Sequence, residues 1–334
     1  MKFQTWSFIL GVGLLATQSL AYDVGEYNKR TDRGFKMSVP MTLPDESKIP
    51  NNQYGEMVRY GKELFVHTYK YIGPDVADPA LRYSGNNLSC QTCHLDAGTR
   101  PHSAPMVGIH SNFPQYRPRE DVIGTIEERI NGCMQRSMNG YPLPNDSKEM
   151  KAFVTYFHWL SQGVPSGATV QGKGLKQVDR KMVRAQAADP VNGAKVYEMH
   201  CASCHMPDGS GVKNPPSADG TPAGYTFPPL WGEDSYNTGA GMHRTLKAAD
   251  FIYSNMPLGA TGDNPILTPK EAYDVAAYLN NNDKYRPAKI NRERDFPDLK
   301  VKVPDQELGP YLDEANAPQY KHGPYGKIII LPKK

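Results

Sequence analysis

Two copies of the pattern Cys-x-x-Cys-His carry the residues of this chain that are best suited to chemistry. The first copy is Cys90-Gln-Thr-Cys93-His94, and the second is Cys201-Ala-Ser-Cys204-His205. In such a pattern two thioethers fix a porphyrin, and the adjacent histidine lies beneath its iron as the proximal ligand. A zinc knuckle and a redox Cys-x-x-Cys pair are the competing interpretations, and the repetition of the whole pattern favours heme over both. The sequence therefore predicts two covalently bound heme c groups.

Similar elements flank the two motifs. Gly61-Lys-Glu-Leu-Phe65 precedes the first motif and Gly193-Ala-Lys-Val-Tyr197 the second, so both share a Gly-x-x-apolar-aromatic spacing. Each motif is followed by a second predicted helix with an N-terminal cap, and we expect Asp146 to cap the first and Thr268 the second. These paired helices predict two class I cytochrome c-like domains in a mainly α-helical chain.

The repeat also suggests which residues occupy the sixth coordination positions. In the second half Met256 lies 15 residues before Glu271, and in the first half Cys133 lies 16 residues before Glu149. Cys133 and Met256 thus occupy corresponding places ahead of the final helix. Methionine is a soft ligand that favours ferrous iron. Met242 is the alternative ligand of the second heme, or a residue that packs against it.

Cys133 is the one cysteine of the five that belongs to neither motif. We interpret it as a thiolate ligand of the first heme. Two other interpretations stay open, a buried structural cysteine and a first heme that is ligated instead by His102, His110 or Met106.

Several arginines lie close to Cys133 in the sequence, namely Arg117, Arg119, Arg129 and Arg136. The run from Asp121 to Arg136 predicts a helix, on which Arg129 and Cys133 share a face because they are four residues apart. A guanidinium beside a thiol lowers its pKa and offers paired donors to an oxyanion. Taken singly, each arginine is equally compatible with a surface role or with pairing to a heme propionate.

The N-terminus resembles a secretory signal peptide, with a basic start, an apolar stretch over residues 8–16 and small residues that end at Ala21. We expect cleavage after Ala21, a periplasmic location and a mature chain that does not span the membrane, since the apolar stretch is too short. The formal net charge of +3 gives no indication of nucleic-acid or membrane-surface binding, because four heme propionates would roughly cancel it.

Composition divides the chain into five segments. They are a signal peptide at 1–21, a cytochrome c-like domain with heme 1 at 22–165, a Gly-, Ser- and Pro-containing linker at 166–190, a cytochrome c domain with heme 2 at 191–285, and an extended tail at 286–334. The 29 prolines predict long loops between short helices.

With these residues the chain resembles the diheme thiosulfate dehydrogenase / tetrathionate reductase family. The segments that carry the resemblance are 129–140 around Cys133, 228–242, and Asn255-Met256-Pro257, besides the heme motifs. The resemblance implies a reversible coupling of two thiosulfates to tetrathionate with release of two electrons. It also implies a small redox protein, such as another c-type cytochrome, as electron partner.

The same resemblance assigns roles to individual residues. It implies an active-site heme with His94 and Cys133 as axial ligands, and a second heme with His205 and Met256. It further implies that Arg119, Arg129 and Ser137 bind the sulfonate groups of the substrate.

Some members of the family place a lysine just before the methionine, as a redox-switched ligand. Asn255 stands at this position here, which predicts fixed His/Met ligation and makes tetrathionate reduction an expected direction alongside thiosulfate oxidation.

Two other functions compete with this one. A non-catalytic diheme electron carrier would leave Cys133 without a role. A diheme peroxidase would need an open or releasable iron position, with a histidine usually near it. A low-spin ferric thiolate signal would favour the sulfur enzyme, and a high-spin five-coordinate heme the peroxidase.

Overall fold

The computed structural model describes residues 37–117, 122–281 and 321–326. The predicted signal peptide, Arg119 and all of the predicted tail except 321–326 lie outside these residues. Helices form most of the regular structure: α1 (Gln53–Val66), α2 (Thr68–Ile72), α3 (Ile126–Arg136), α4 (Lys148–Leu160), α5 (Arg180–Ala185), α6 (Pro190–His200), α7 (Ala202–His205), α8 (Thr245–Asn255) and α9 (Pro269–Asn281).

The strands are short and form three separate pairs. They are β1 (Ser38–Val39), β2 (Gln115–Arg117), β3 (Val122–Gly124), β4 (Thr169–Val170), β5 (Val212–Lys213) and β6 (Tyr225–Phe227). β1 pairs with β4 in parallel, whereas β2 with β3 and β5 with β6 are antiparallel. These described residues are mainly helical, as the sequence predicts.

Helix α3, which carries Cys133, begins later than the predicted helix over 121–136. Thr125 caps it by accepting from the Glu128 N–H, and the Glu128 carboxylate accepts from the Thr125 N–H at 2.8 Å. This capping box satisfies two of the free N–H groups at the helix start. The preceding residues 122–124 instead form strand β3 against β2.

The capping of the two final helices is partly as expected. Thr268 caps α9 as predicted, with its N–H donating to Glu271 Oε2 at 2.8 Å and its hydroxyl accepting from the Glu271 N–H. The predicted cap Asp146 is wrong, because the neighbouring Ser147 accepts from the Met150 N–H and α4 starts at Lys148. Both residues can cap a helix, so composition alone does not choose between them.

The internal repeat is present in the helix packing. Gly61 of α1 lies against the Ala152 carbonyl of α4, and Gly193 of α6 lies against the Asp274 carbonyl of α9. A side chain at either glycine would overlap the backbone of the facing helix. Each half of the chain therefore brings its first and last helices into close contact at a glycine in the same position of the repeat.

Each helix pair contributes to its own hydrophobic core. The first core contains Phe65, Met150 and Phe153, and the second contains Tyr197 and Tyr273, all of them buried. No helix among the described residues is long and apolar enough to cross a membrane.

The segment predicted as a linker, 166–190, contains β4 and α5, and three of its valines are buried: Val170, Val178 and Val183. From the predicted tail, residues 321–326 pack on the second core through the buried Tyr325, whose N–H donates to the Val183 carbonyl at 3.0 Å. The predicted boundaries between the segments stay predictions.

Candidate active site

A cavity in the first half of the chain brings together the first heme motif and Cys133. Cys90, Cys93, His94 and Cys133 all line it, and it encloses about 1150 Å³ of atom-free space that is partly open to solvent. Sites that hold organic cofactors are concave and mostly apolar. The remaining wall is largely apolar, with Phe65, Leu88, Met106, Ile109, Ile130 and Phe157 among its residues.

The imidazole of His94 is held in an orientation that suits an axial ligand. Its Nδ1 lies 2.7 Å from the Ala104 carbonyl oxygen. A carbonyl can only accept, so Nδ1 carries the proton and Nε2 keeps its lone pair for a metal. The Thr68 hydroxyl accepts from the Cys90 N–H at 3.1 Å and so holds the first residue of the motif in place. These residues fit a heme attached at Cys90 and Cys93.

Cys133 lies within reach of a guanidinium, as the helical spacing predicts. Arg129, one turn earlier on α3, donates from Nη1 to Cys133 Sγ at 2.9 Å. Burial acts to raise the pKa of the Cys133 thiol, but Arg129 first, and then His94 and Arg136, outweigh it and lower the pKa to about 6. The thiolate is therefore the stable form near neutral pH, and it is the nucleophilic and metal-binding form.

His94 and Cys133 line the same cavity, and His94 is among the groups close enough to lower the pKa of Cys133. An imidazole and a thiolate that face each other inside one cavity are a suitable pair of ligands for a heme iron. The predicted His94/Cys133 axial pair stays a prediction.

Ser137 lines the same cavity, one helical turn after Cys133. The structure thus brings together His94, Cys133, Arg129 and Ser137, whereas Arg119 lies outside the described residues. Of the alternative ligands, Met106 is part of the wall. His110 instead packs edge-on against His158, and the ring of His102 packs on Gly262.

Part of the cavity wall comes from segments of the chain that the sequence did not assign to the first heme. Lys173 comes from the predicted linker, and Tyr236 and Met242 come from the second half of the chain. Burial lowers the pKa of Lys173. Tyr236 and Met242 fall within the segment 228–242 that carries the family resemblance, so a signal for them existed. No spacing or motif points to Lys173.

The second heme motif repeats the geometry of the first. His205 Nδ1 lies 2.8 Å from the Pro228 carbonyl oxygen, which again leaves Nε2 for a metal. Burial lowers the pKa of His205, and the Pro228 carbonyl opposes this only in part. Met256 follows the last residue of α8 and packs, half-buried, against the second core, as Cys201 and Met242 also do.

Comparisons with known proteins assign each half of the chain to a sequence family. The profile described as "SoxA/TsdA, cytochrome c domain" matches residues 82–166, and the profile described as "Cytochrome c" matches residues 190–283. These matches confirm the prediction of two cytochrome c domains.

Curated relatives match most of the chain. A thiosulfate dehydrogenase from Stutzerimonas stutzeri is 41% identical over 72% of this chain and 72% of its own length. One from Psychrobacter arcticus is 40% identical over 76% of this chain and 71% of its own. Among solved structures, the "as isolated" form of thiosulfate dehydrogenase (TsdBA) from Marichromatium purpuratum has a TM-score of 0.62 and 39% identity over 72% of this chain. The chain spans about half, 49%, of that TsdBA chain.

Proposed function

Because the chain belongs to the thiosulfate dehydrogenase family, we propose that it interconverts thiosulfate and tetrathionate, with Cys133 as the reacting residue. The chain carries two covalently bound heme c groups, and we assign their attachment to Cys90 and Cys93 in the first half and to Cys201 and Cys204 in the second. The observation that carries the proposal is the contact between Arg129 Nη1 and Cys133 Sγ inside the first cavity.

The chemistry of a sulfur–sulfur bond matches a cavity that holds a thiolate. The Cys133 thiolate attacks one of the two central sulfurs of tetrathionate by the in-line displacement of thiol–disulfide exchange. One thiosulfate dianion leaves, and a thiosulfonate group remains bonded to Cys133 Sγ. Two electrons then cleave that new S–S bond, which releases a second thiosulfate and restores the thiolate. The oxidation of two thiosulfates is the same sequence in reverse.

Each axial pair has a separate role in this proposal. His94 and Cys133 would hold the heme at the reacting site, and His205 and Met256 would hold the second heme. When bound, the hemes supply or accept the two electrons one at a time. A small redox protein, such as another c-type cytochrome, would exchange electrons with the second heme, and we place the reaction in the periplasm.

Arginine and serine side chains are suited to the charged ends of the substrate. A planar guanidinium offers paired donors that match the oxygens of a sulfonate. Arg129 and Ser137 flank Cys133 by one helical turn on either side, so both are placed to bind the sulfonate of a substrate that bonds to Sγ. Arg119 is proposed for the same role on the family resemblance.

Replacement of Cys133 by serine tests the proposal directly. Cys133→Ser should retain both hemes, because neither pair of thioethers is touched, and should lose turnover in both directions. In the parent protein, tetrathionate should add a mass to the peptide that contains Cys133, and the variant should show no such adduct. A variant that turns over at a near-parental rate would rule out the mechanism. Normal spectra and normal electron transfer in the variant would instead indicate a non-catalytic electron carrier.

A further inference from the structure

The loop that carries Met256 is held by residues from the first half of the chain. We call residues 255–263 the methionine loop and residues 100–104 the clamp segment. Asn255 Nδ2 donates to the His102 carbonyl oxygen at 3.0 Å, and Arg100 Nη2 donates to the Ala260 carbonyl oxygen at 3.2 Å. These two bonds join the start and the middle of the methionine loop to the same short segment.

Close packing adds a third connection. Gly262 lies directly against the His102 ring, so closely that a Cβ at this glycine would overlap the ring atoms. His102 Nε2 also lies 3.8 Å from Asp263 Oδ1. The end of the methionine loop is therefore in contact with the clamp segment as well.

The clamp segment is itself fixed in an unusual backbone conformation. His102 and Ala104 have φ values of 59° and 51°, in the left-handed region that non-glycine residues seldom adopt. Such a conformation persists only where its surroundings hold it. Here the N–H groups of His102 and Ala104 donate to the carbonyls of Gly172 and Gly174 at 2.8 and 2.9 Å.

The outcome of this conformation is that one short segment faces both heme sites. The Ala104 carbonyl binds His94 Nδ1 in the first cavity, and the His102 carbonyl binds the Asn255 side chain in the second half. Asn255 immediately precedes Met256 and is 2% exposed. Its Nδ2 donates both to the His102 carbonyl and to the Phe251 carbonyl one turn earlier, at 3.2 Å.

We propose that Asn255 is a positioning residue that anchors the methionine loop to the clamp segment, so that the first half of the chain determines how firmly Met256 binds the second heme. The clamp segment then connects the proximal ligand of the first heme to the distal ligand of the second. This inference rests on the assignment of Met256 as a ligand made above. It treats Asn255 as a structural anchor, because its Nδ2 is engaged by two carbonyls, one of them in the clamp segment.

The test compares Asn255→Ala with Asn264→Ala, a matched change at an exposed asparagine near the same loop. Three properties of the holoprotein are measured: the methionine-to-ferric-iron absorption band, the midpoint potential of the second heme, and amide hydrogen exchange of residues 257–263. We expect Asn255→Ala to weaken the band, to raise exchange in the loop at least tenfold, and to lower the potential, because loss of the soft ligand disfavours ferrous iron. Asn264→Ala should match the parent in all three.

Two further variants disturb the other contacts between the clamp segment and the methionine loop, in case Asn255→Ala does not fold with both hemes attached. Gly262→Ala should push the loop away from His102, and Arg100→Met should remove the bond to Ala260. Both should reproduce the effects on band and exchange. Parental exchange in Asn255→Ala, or in both of these variants, would overturn the inference.

Met256→Gly separates the inference from the proposed ligand set. If it leaves the methionine band intact, the assignment of Met256 is wrong, and hydrogen exchange in Asn255→Ala still shows whether the loop is anchored. If Met256→Gly removes the band while Asn255→Ala changes neither band nor exchange, the ligand assignment stands and the anchor is refuted.

Discussion

Arg129→Ala should weaken substrate binding by an amount that follows from the geometry of the site. The guanidinium contacts Cys133 Sγ at 2.9 Å and lies where a sulfonate bonded to that sulfur would extend. A charge-assisted hydrogen bond contributes about 1.5–3 kcal/mol. Arg129 is exposed to solvent, which screens its charge, so we expect the lower end, about 1.5 kcal/mol. This corresponds to roughly a tenfold loss of affinity.

Binding must be measured apart from the covalent reaction. In a Cys133→Ser background no sulfur adduct can form, so calorimetric titration with tetrathionate reports only the non-covalent contacts. Arg129→Ala is then compared with Arg129→Lys, which should recover part of the affinity because lysine keeps the charge but lacks the fork. Arg59→Ala is the matched control, because Arg59 of α1 donates to the Ile49 carbonyl and does not line the cavity.

The same substitution should act on the thiol in the Cys133-containing protein. Arg129 is the largest of the influences that lower the pKa of Cys133. Its loss should therefore raise that pKa and slow adduct formation with tetrathionate at neutral pH. If tetrathionate binds the Arg129→Ala variant within twofold of its background, the arginine does not hold a sulfonate, and pairing with a heme propionate becomes its better interpretation.

Three further predictions test other parts of the molecule. Intact-mass spectrometry of the exported protein should show two heme additions and the loss of about 21 residues, and a mass with one heme or none would contradict the assignment of the two motifs. Met256→Gly should lower the potential of the second heme, measured by redox titration, and should reduce turnover, while calorimetry should show that tetrathionate still binds. If Met242→Gly removes the methionine band instead, Met242 and not Met256 is the ligand. Gly193→Ala should force α6 away from the Asp274 carbonyl of α9 and lower the free energy of unfolding by about 1–3 kcal/mol, measured as a lower midpoint of denaturant unfolding. Gly163→Ala is the control and should lower it less, because a Cβ at Gly163 would meet no atom within 4 Å, although the φ of this glycine is positive.

The features that the sequence predicts well are those that depend on the spacing of residues close together in the chain. The two Cys-x-x-Cys-His motifs, the capping box at Thr268 and Glu271, and the four-residue interval from Arg129 to Cys133 each depend on residues close together in the chain. The position of Cys133 could be inferred over a longer range because the chain repeats its own architecture. A repeat lets one half serve as the template for the other.

The helix boundaries show where local spacing is insufficient. Asp146 and Ser147 are both capable caps, and the choice of Ser147 depends on the direction in which the chain enters α4. Residues 122–124 fit a helical pattern, yet they form a strand because β2 offers them a partner. In both places the competing conformations differ little in intrinsic preference, so tertiary contacts decide between them.

Contacts between the two halves were not predictable for a different reason. The anchor of Asn255 is the backbone carbonyl of His102, and every residue has such a carbonyl. What selects it is the left-handed backbone of His102 and Ala104, which directs the carbonyls of these two residues to different partners. No residue type marks this conformation, since neither position is a glycine.

These contacts run in both directions between the halves. Tyr236 and Met242 from the second half complete the wall of the first cavity, and the clamp segment from the first half holds the methionine loop of the second. Asn237 strengthens the connection, since its Nδ2 donates to the Gln135 carbonyl at 2.8 Å near the end of α3. Each half therefore contributes residues that lie beside the first heme motif or the methionine loop of the other half. In the proposed reaction electrons pass one at a time between the two heme sites, and these contacts hold the two halves of the chain together. Substitutions that disturb the backbone of the clamp segment should consequently shift the properties of both hemes.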